Sequence, residues 1–557
     1  MRYSELVEVY ESLGATTKRL EKTEILAKFL KQLKNYNSKW IYLLRGRVLP
    51  DYDPTEFGLS RQLAIKAISR ATGISEEKIE REFNKFGDLG EVAEHFINTK
   101  KQSTLFSNKL TVEKVFDNFS KILYIKGKGS VDKKLLLVSE LLASATGKEA
   151  KYIIRTILND LRIGVADSTL RDAISEAFFP DDKKEMNEKI EHVYDLANDF
   201  AEVFDAVSKG KKALDKIIVV PGKPMNVMLP VKVTEISEAF RIAGKPAAIE
   251  HKYDGFRVVI SKNRNEIKLF TRKLEEVTKQ FPDVVSVVKE QVHAKDFILD
   301  SEVVGYDPKT KKPRPFEAIS QRIKRKYDIE RLEKELPVEV NVFDVIYCNG
   351  ESLITEPFKK RRDILEKIVK EKQNKIRHSK QFVTDSEKKA LEFYRKALAS
   401  GEEGIMIKNL DAPYKPGRRV GFIVKMKPES KDLDLVIVGA EHGTGKRGGW
   451  LTSYIVACRN KEGKFLEVGK VSSGLKEKEE QGTTYAEMTK LIKPLITGEK
   501  GHMVNVKPKI IVSVTYQNIQ KSPSYSSGYA LRFPRITAYR PERNTRDIAT
   551  FDEIKRL

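Results

Sequence analysis

The spacing of apolar residues divides the chain into three parts. In residues 1–215, apolar residues recur at intervals of three and four, as in "EILAKFLKQL", "RQLAIKAISRAT" and "LLLVSELLASA". Such intervals place the apolar residues on one face of an α-helix. Glycine-bearing breaks such as "IKGKGSVDKK" separate these stretches. The pattern therefore predicts an all-α domain over residues 1–215.

The middle of the chain alternates between strand-like and helical patterns. A proline-containing stretch, "VVPGKPMNVMLP" at 219–230, follows the helical part and is predicted to be a linker. Strand-like runs such as "AAIEHKYDGFRVVIS" and "DFILDSEVVGY" then alternate with helical stretches at 276–292, 357–371 and 385–400. This alternation predicts an α+β domain with mostly antiparallel sheets over residues 216–428.

The last part of the chain is nearly all strand-like. Runs such as "LDLVIVGAEHG", "LTSYIVACRN" and "IIVSVTYQNI" are broken by glycine turns, with one helical segment at 482–496. Five short strands of this kind predict a small β-barrel of the oligonucleotide-binding (OB) type. The chain therefore resolves into three predicted domains, of which the third covers residues 429–557 and ends in a C-terminal helix, "RDIATFDEIKRL".

Composition narrows the class of partner. The 557 residues contain 103 Lys and Arg against 80 Asp and Glu, a formal charge of +23, which favours nucleic acid. The alternative is a charged surface adapted to high temperature. Two cysteines exclude a disulfide framework and a four-cysteine zinc site. The chain starts without a signal-peptide pattern and has no run of about 18 apolar residues, so we expect a soluble, intracellular protein with no membrane partner.

The stretch "IEHKYDGFRV" at 249–258 carries candidate chemistry. Strand alternation places Glu250, Lys252 and Asp254 on one face, and Gly255 then permits a tight turn. A lysine nucleophile must lose its proton before it attacks, and neighbouring cations favour that loss. A solvated surface strand is the alternative interpretation.

Further candidates follow at the strand-like runs of the middle domain. Glu302 and Glu403 are carboxylates of the kind that Mg²⁺ prefers. Lys425 and Lys427 are two residues apart, so a strand places both on one face, where they would neutralise a triphosphate. Phe343 offers a flat face for a nucleobase. Together these residues predict a phosphoryl or nucleotidyl transfer site, in which positioning and charge neutralisation dominate.

The order of these motifs resembles one enzyme family. "KYDGFR" is followed by "TRKLEEVT", "DSEVVG", "FDVIY", "EGIMIK" and "VKMK", as in ATP-dependent DNA ligases of the archaeal and eukaryotic replicative type. "SPSYSSGYALRFPRITAYR" at 522–540 resembles the last motif of that family, and "LRIGVADSTLRDAI" extends the resemblance into the helical part. The resemblance covers nearly the whole chain. It implies a helical DNA-binding domain, an adenylation domain and an OB-fold domain.

The resemblance also implies a reaction. Such enzymes seal nicks in duplex DNA during replication, repair and recombination. A lysine-AMP intermediate forms from ATP, the AMP passes to the 5′-phosphate, and the 3′-hydroxyl attacks and releases it. The implied cofactors are ATP and Mg²⁺, with Mn²⁺ as the alternative metal, and the implied partner is nicked duplex DNA.

The resemblance assigns roles to residues of this sequence. Lys252 becomes adenylated, Glu250 accepts a hydrogen bond from the adenine amino group, and Phe343 stacks on the base. Asp254 is expected to orient the lysine or the turn. The other roles are contact with ribose and phosphates by Arg257, Arg272, Arg419, Lys425 and Lys427, binding of ribose or metal by Glu302 and Glu403, and orientation of the leaving pyrophosphate by Arg532, Arg535 and Arg540.

Two positions depart from the family pattern. Relatives often continue after Arg540 with an acidic residue and a lysine, whereas this chain reads Pro541, Glu542 and Arg543. Arginine keeps the charge but changes the geometry, which leaves the contribution of residues 541–543 to self-adenylation open. Ile423 stands where relatives often carry tryptophan, and we interpret it as a packing change.

A short basic stretch predicts a protein partner. "KKQSTLFSNKL" at 101–111 resembles the peptide with which related ligases dock on the sliding clamp, and Gln102, Leu105 and Phe106 would be its contacts. An ordinary loop with two residues tucked inward is the alternative.

Two other functions fit part of the sequence. An RNA ligase or a capping-type nucleotidyltransferase shares the lysine chemistry but lacks the long basic helical domain. A catalytically idle DNA-binding scaffold would be expected to have lost residues such as Lys252 or Glu302, which this chain keeps. We expect a monomer, associated with the nucleoid in the cytoplasm of an archaeal cell or nuclear in a eukaryotic one.

Overall fold

The computed structural model separates the chain into two compact units, residues 1–427 and 428–557. It describes residues 1–99, 109–314, 316–324, 328–417, 420–428, 432–443, 447–477 and 483–556. The predicted boundary between residues 215 and 216 falls inside the first unit, so the domain limits stay predictions.

The N-terminal part of the first unit is helical, as predicted. Helix boundaries follow local chemistry: the Ser60 side chain accepts a hydrogen bond from the backbone of Leu63, and Gly73 ends the same helix in the left-handed conformation. Apolar faces of the helices form one shared core. The helices are α1 (Tyr3–Ala15), α2 (Arg19–Leu33), α3 (Arg61–Thr72), α4 (Glu76–Phe86), α5 (Leu89–Asn98), α6 (Val112–Tyr124), α7 (Ser130–Ser144), α8 (Gly147–Ile157), α9 (Asp167–Phe178), α10 (Lys183–Ala197), α11 (Phe200–Ser208) and α12 (Lys211–Leu214).

The predicted linker at 219–230 is a buried part of the structure. Val219, Met225 and Met228 pack in an apolar cluster with residues of the following sheets, such as Phe270 and Ile298. The prolines correctly predicted the end of the helical part, but the apolar residues between them bury their side chains against neighbouring elements, where they remove more surface from water than in an exposed linker.

Two sheets and the helices between their strands form the rest of the first unit. The five-stranded sheet has the order β1-β11-β10-β2-β9, and the six-stranded sheet has the order β4-β3-β5-β6-β7 with β8 paired to β6. All pairs are antiparallel except β1 with β11 and β6 with β8. The strands are β1 (Val231–Val233), β2 (Ala247–Lys252), β3 (Phe256–Asn263), β4 (Glu266–Thr271), β5 (Phe297–Gly305), β6 (Val338–Cys348), β7 (Glu351–Ser352), β8 (Ile376–His378), β9 (Gln381–Thr384), β10 (Gly404–Asn409) and β11 (Ile423–Met426).

Each sheet has one face covered by helices. In the five-stranded sheet, Ile249, Ile405 and Val424 pack against α13 and α18. In the six-stranded sheet, residues such as Leu299 and Val342 belong to a second core with α14 and α17. The helices are α13 (Ile236–Ala243), α14 (Pro282–Gln291), α15 (Phe316–Lys324), α16 (Ile329–Glu335), α17 (Phe358–Ile368) and α18 (Glu387–Ala399).

The second unit has an OB-like fold built around one long strand. Strand β12 pairs with β13 along one edge and with both β16 and β17 along the other, and a register shift between Ile437 and Gly439 accompanies this change of partner. Among the described residues of this unit, the main sheet has seven strands, more than the five predicted. The elements are β12 (Asp432–His442), β13 (Leu451–Arg459), β14 (Phe465–Val471), α19 (Tyr485–Ile492), β15 (Ile496–Lys500), β16 (Met503–Val506), β17 (Ile511–Thr515), β18 (Ile519–Lys521), β19 (Tyr529–Leu531), β20 (Arg535–Tyr539) and α20 (Phe551–Arg556).

Among the residues that the structure describes, no helix combines the length and the apolar character that a membrane crossing would need. The predicted C-terminal helix is present as α20.

Two glycines beside the start of β10 allow a matched test of backbone crowding. Both have positive φ, +86° at Gly401 and +151° at Gly404, but a Cβ would meet nothing within 4 Å at Gly401 and would lie 2.2 Å from the Met426 carbonyl oxygen at Gly404. We expect Gly401→Ala to cost about 1–2 kcal/mol of unfolding free energy. Gly404→Ala adds overpacking and should cost roughly 3 kcal/mol or more. Thermal unfolding of both variants checks this, and equal losses would contradict it.

Candidate active site

The uncovered face of the five-stranded sheet carries most of the predicted site. Residues directly opposite each other in antiparallel strands share a face. Gly404 lies opposite Lys252 and Met406 opposite Glu250, while Lys425 lies opposite Met406 from the other side. Strand alternation extends this face to seven side chains: Glu250 and Lys252 of β2, Met406 and Lys408 of β10, Ile423 and Lys425 of β11, and Lys427 just beyond it.

One carboxylate joins the two lysines at the end of this face. The ammonium of Lys252 donates to one oxygen of Glu403, and the ammonium of Lys427 donates to the other at 3.0 Å. Burial alone would raise the pKa of Glu403, but the charges of Lys252 and Lys427 outweigh it and lower that pKa. Burial, followed by the charges of Lys252 and Lys427, lowers the pKa of Lys425. The predicted nucleophile therefore lies among three other charged groups.

The turn after Lys252 is pressed against the six-stranded sheet. A Cβ at Gly255 would lie 2.4 Å from the carbonyl oxygen of Val303 in β5, so only glycine allows this approach. Asp254 lies in the same turn. The glycine of "KYDG" therefore brings the end of β2 onto the second sheet.

A buried network in the six-stranded sheet fixes Arg257. Its guanidinium makes two hydrogen bonds to the carboxylate of Asp300, at 2.8 and 2.6 Å, and a third to the Met228 carbonyl at 2.8 Å. The hydroxyl of Tyr414 donates to Asp300 at 2.7 Å. Burial alone would lower the pKa of Arg257, but Asp300 raises it. The network ties both sheets to the segment around Met228.

Glu302 is the candidate metal ligand that the structure leaves most available. It lies directly opposite Arg257 in the sheet, and its carboxylate has no hydrogen bond or ion pair to another described residue. Burial, with smaller contributions from the Asp300 and Glu403 carboxylates, raises the pKa of Glu302 to about 8, although Lys252 and Arg257 act in the opposite direction. A hard cation bound to Glu302 would offset the free-energy cost of burying its charged carboxylate.

The carboxylates present suit a cation that keeps part of its water shell. Within the described ranges, no group of three or more His, Cys, Asp or Glu side chains is placed to hold a metal ion. Mg²⁺ is usually held by one or two carboxylates together with waters and substrate phosphates. Glu302 and Glu403, the second of which contacts Lys252, could supply the one or two carboxylates of such a site.

A β-bulge directs Phe343 into the site. Asp300 pairs with Asp344 and Ser301 with Val342, so Phe343 is the extra residue of β6. Val342 and Val345 belong to the covered core, and the bulge shifts the alternation between them. Phe343 therefore leaves that core and lines the cavity.

A buried ion pair lies next to Phe343. The ammonium of Lys408 is 2.7 Å from one oxygen of Glu250 and 4.5 Å from the centre of the Phe343 ring. The amide of Gln381 donates to the other oxygen of Glu250 at 2.9 Å. Glu250 and Lys408 are 1% and 3% exposed. The Glu250 carboxylate is thus held by Lys408 at one oxygen and by Gln381 at the other.

These groups surround a cavity of about 380 Å³ with two chemically different ends. Phe343, Met406 and Ile423 give it apolar walls near Glu250 and Lys408, and cationic groups line it around Lys252. The full lining is Pro230, Glu250, His251, Lys252, Tyr253, Gly255, Phe256, Arg257, Arg272, Glu302, Phe316, Phe343, Met406, Lys408, Ile423 and Lys425.

Other predicted site residues lie elsewhere. Arg272 lies at the exposed rim of the cavity. Arg419 and the clamp-docking residues Gln102, Leu105 and Phe106 fall outside the described residues.

The predicted leaving-group arginines belong to the second unit. Arg532 is buried with its guanidinium 5.1 Å from the Phe533 ring centre, and Arg535 is exposed on β20. Arg540 donates to Glu542 at 2.6 Å. Arg543, at the departure from the family pattern, pairs with Asp434 at 2.8 Å.

Sequence reasoning missed several residues of the site. Asp300 precedes Glu302 by two positions and Lys408 follows Met406 by two, so strand alternation could have found both. Tyr414 and Met228 lie outside regular elements, where no period points to them.

The whole chain is similar to known proteins. Three family descriptions match it: "DNA ligase N terminus" over residues 2–175, "ATP dependent DNA ligase domain" over 227–427 and "ATP dependent DNA ligase C terminal region" over 447–543. It is 46% identical to a DNA ligase of Nanoarchaeum equitans, which covers 100% of this chain and 98% of the relative. A DNA ligase of Thermococcus fumicolans is 41% identical with the same coverage.

One solved structure has a similar fold over most of the chain. The structure described as "Pmar-Lig_PreS3" matches with a TM-score of 0.56 at 17% identity and covers 96% of this chain and 98% of its own.

The Arg257 network allows a test of its internal coupling. Asp300→Ala leaves a buried guanidinium without its carboxylate and should cost about 3–5 kcal/mol of unfolding free energy. Tyr414→Phe removes the hydroxyl that donates to Asp300 and accepts from the Met228 backbone N–H at 3.1 Å, and it should cost roughly 1.5–3 kcal/mol. The double variant Asp300→Ala with Arg257→Met should be more stable than Asp300→Ala alone. Urea unfolding measures all three, and a double variant that is less stable than Asp300→Ala would disprove the coupling.

Proposed function

The chain belongs to the ATP-dependent DNA ligase family, and from that premise we propose how the residues of its cavity divide the work of sealing a nick in duplex DNA. The enzyme uses ATP and a divalent metal ion, and it acts on nicked DNA. An RNA ligase, a capping enzyme and an idle scaffold are not favoured, because full-length relatives are DNA ligases. The single observation that carries the residue assignment is the shared face that holds Lys252, Lys425 and Lys427, with Glu403 joining Lys252 to Lys427 at its end.

The polarity of the cavity supports one orientation of ATP. The base would enter the apolar end, stack on Phe343 and donate its amino group to Glu250. The triphosphate would lie toward Lys425 and Arg272, where positive charge is concentrated. Lys252 is two residues from Glu250 along β2, about 7 Å, a spacing that suits a base at one position and an α-phosphate at the other.

Glu403 would prepare Lys252 for attack. In the first step the Lys252 ammonium would lose a proton to solvent, and the resulting amine would form a bond to the α-phosphorus of ATP as the bond to pyrophosphate breaks. The amine must first separate from Glu403, and Lys427 stays with that carboxylate at 3.0 Å when it does. Glu403 therefore does not become an unpaired buried charge, which would be costly. The AMP then passes to the 5′-phosphate of the nick, and attack by the 3′-hydroxyl releases it.

We propose Mg²⁺ as the metal, held by Glu302 and by Glu403. Bound there, it would neutralise phosphate charge and polarise the reacting phosphoryl group. Mn²⁺ suits the same oxygen ligands and is the alternative. The other residues that line the cavity would orient ATP and Lys252 relative to the metal ion.

We propose three further properties of the working enzyme. Arg532, Arg535 and Arg540 would orient the leaving pyrophosphate, and Arg540 would have to exchange Glu542 for it.

The excess of 23 positive charges supports association with the nucleoid. The enzyme would act as a monomer, which light scattering at assay concentration can test.

Labelling with ATP tests the assignment of the nucleophile. Wild type incubated with α-labelled ATP and Mg²⁺ should carry the label after denaturation and pass it to nicked DNA as a sealed strand forms. Lys252→Ala should carry no label, because no other amine occupies its position. Lys359→Ala, which changes an exposed lysine paired with Asp411, is the matched control and should behave as wild type. Label on Lys252→Ala would refute the assignment, and repeating the assay with Mn²⁺ would decide the metal.

The stretch at 101–111 supports a proposal about a partner. We propose that Gln102, Leu105 and Phe106 dock on a sliding clamp. Leu105→Ala with Phe106→Ala should abolish clamp binding, measured by surface plasmon resonance, and leave sealing of bare nicked DNA intact. Ser103→Ala with Thr104→Ala, in the same stretch, should change neither. Equal loss of clamp binding and sealing in the first variant would count against the docking role.

A further inference from the structure

A buried cation stands behind the predicted base-recognition group. Lys408 is 3% exposed, and its ammonium lies 2.7 Å from the Glu250 carboxylate. It also lies 4.7 Å from the centre of the Phe358 ring and donates to the Phe343 carbonyl at 3.4 Å. Two aromatic rings and a carboxylate therefore surround the ammonium. A lysine is seldom fully buried without such a partner.

A second cation reinforces the same carboxylate. One guanidinium nitrogen of Arg362 lies 4.0 Å from Glu250 and has no hydrogen-bond partner among the described residues. The other side of that guanidinium pairs with Glu366 at 2.6 Å. Glu250 thus sits in a small region of positive charge, although it lies at the apolar end of the cavity.

The charge state of Glu250 decides which bases it can recognise. An ionised carboxylate only accepts hydrogen bonds, whereas a protonated one can also donate. Adenine presents an amino donor at C6, and hypoxanthine and guanine present a carbonyl acceptor there. A charged Glu250 therefore rewards adenine and repels a C6 carbonyl, and this discrimination is lost if the carboxylate is neutralised.

Since the proposed function places the base against Glu250, and resting on that placement, we propose that Lys408 determines the nucleotide specificity of self-adenylation. Lys408 is a positioning residue that acts through Glu250. Its ammonium, 2.7 Å from one carboxylate oxygen, holds that carboxylate in place at the apolar end of the cavity. Without it, only Gln381 and the Arg362 guanidinium, 4.0 Å away, would hold the carboxylate, and the acceptor that it presents to the C6 substituent would no longer be fixed.

The test compares ATP with inosine triphosphate, which carries a carbonyl in place of the C6 amino group. Single-turnover labelling of Lys252 at several nucleotide concentrations gives kcat/KM for each. In Lys408→Met the ATP to inosine triphosphate ratio should fall by about tenfold to a hundredfold, the worth of one hydrogen bond to a charged group. Lys408→Arg, which keeps the charge, should retain most of the ratio.

Two controls separate specificity from stability. Lys22→Met removes another buried ammonium, 7% exposed and bonded to the Gly164 carbonyl in the helical part, and should leave the ratio unchanged. The double variant Lys408→Met with Glu250→Gln contains no unpaired buried carboxylate, so it should fold even if Lys408→Met does not. Its ratio should equal that of Glu250→Gln alone, because Lys408 acts only through Glu250.

Each outcome bears on the proposal. A reduced ratio in Lys408→Met, restored in Lys408→Arg, supports it. An unchanged ratio with both rates lowered equally would make Lys408 a structural residue only and overturn it, as would a double variant whose ratio falls below that of Glu250→Gln. Label that persists in Lys252→Ala would refute the proposed function instead, so the two failures are distinguishable.

Discussion

The structure depends on keeping charged groups between two sheets whose other faces are apolar. The pair of Arg257 and Asp300 makes this possible, because each neutralises the other where water is largely absent. Tyr414 and the Met228 carbonyl complete the network from the five-stranded side and from the buried segment at 219–230. Loss of either partner would leave the other charge buried and unpaired, which is strongly destabilising.

The lysines of the five-stranded sheet differ in their burial and in their partners along the strands. Near Lys252 the groups are Lys252 itself and Lys427, which share Glu403 and are partly exposed. Farther along, Lys408 is buried and committed to Glu250. Burial therefore separates two proposed purposes of one residue type. The partly exposed lysines near Lys252 would attract the polyanionic end of a nucleotide, and the buried Lys408 would shape the recognition of its base.

Much of the local structure around the site could be predicted from the sequence. Alternation correctly placed Lys425 and Lys427 on one face and put Glu250 beside Lys252. Helix positions were also predictable, although the helix predicted from residue 276 begins at Pro282, which suits a first helical turn. The register of distant strands was not predictable, because it follows from tertiary packing. For the same reason the partner of Arg257 and the burial of residues 219–230 appeared only in the fold.

The bulge in β6 has a consequence for how such enzymes can diversify. Phe343 belongs to neither apolar core, because the extra residue interrupts the alternation on which core packing depends. Substitution there replaces no residue of that core, whereas deletion of one residue would rotate half of the strand and displace its core side chains. The wall of the cavity at this position can therefore change while the apolar core under the six-stranded sheet keeps its own side chains.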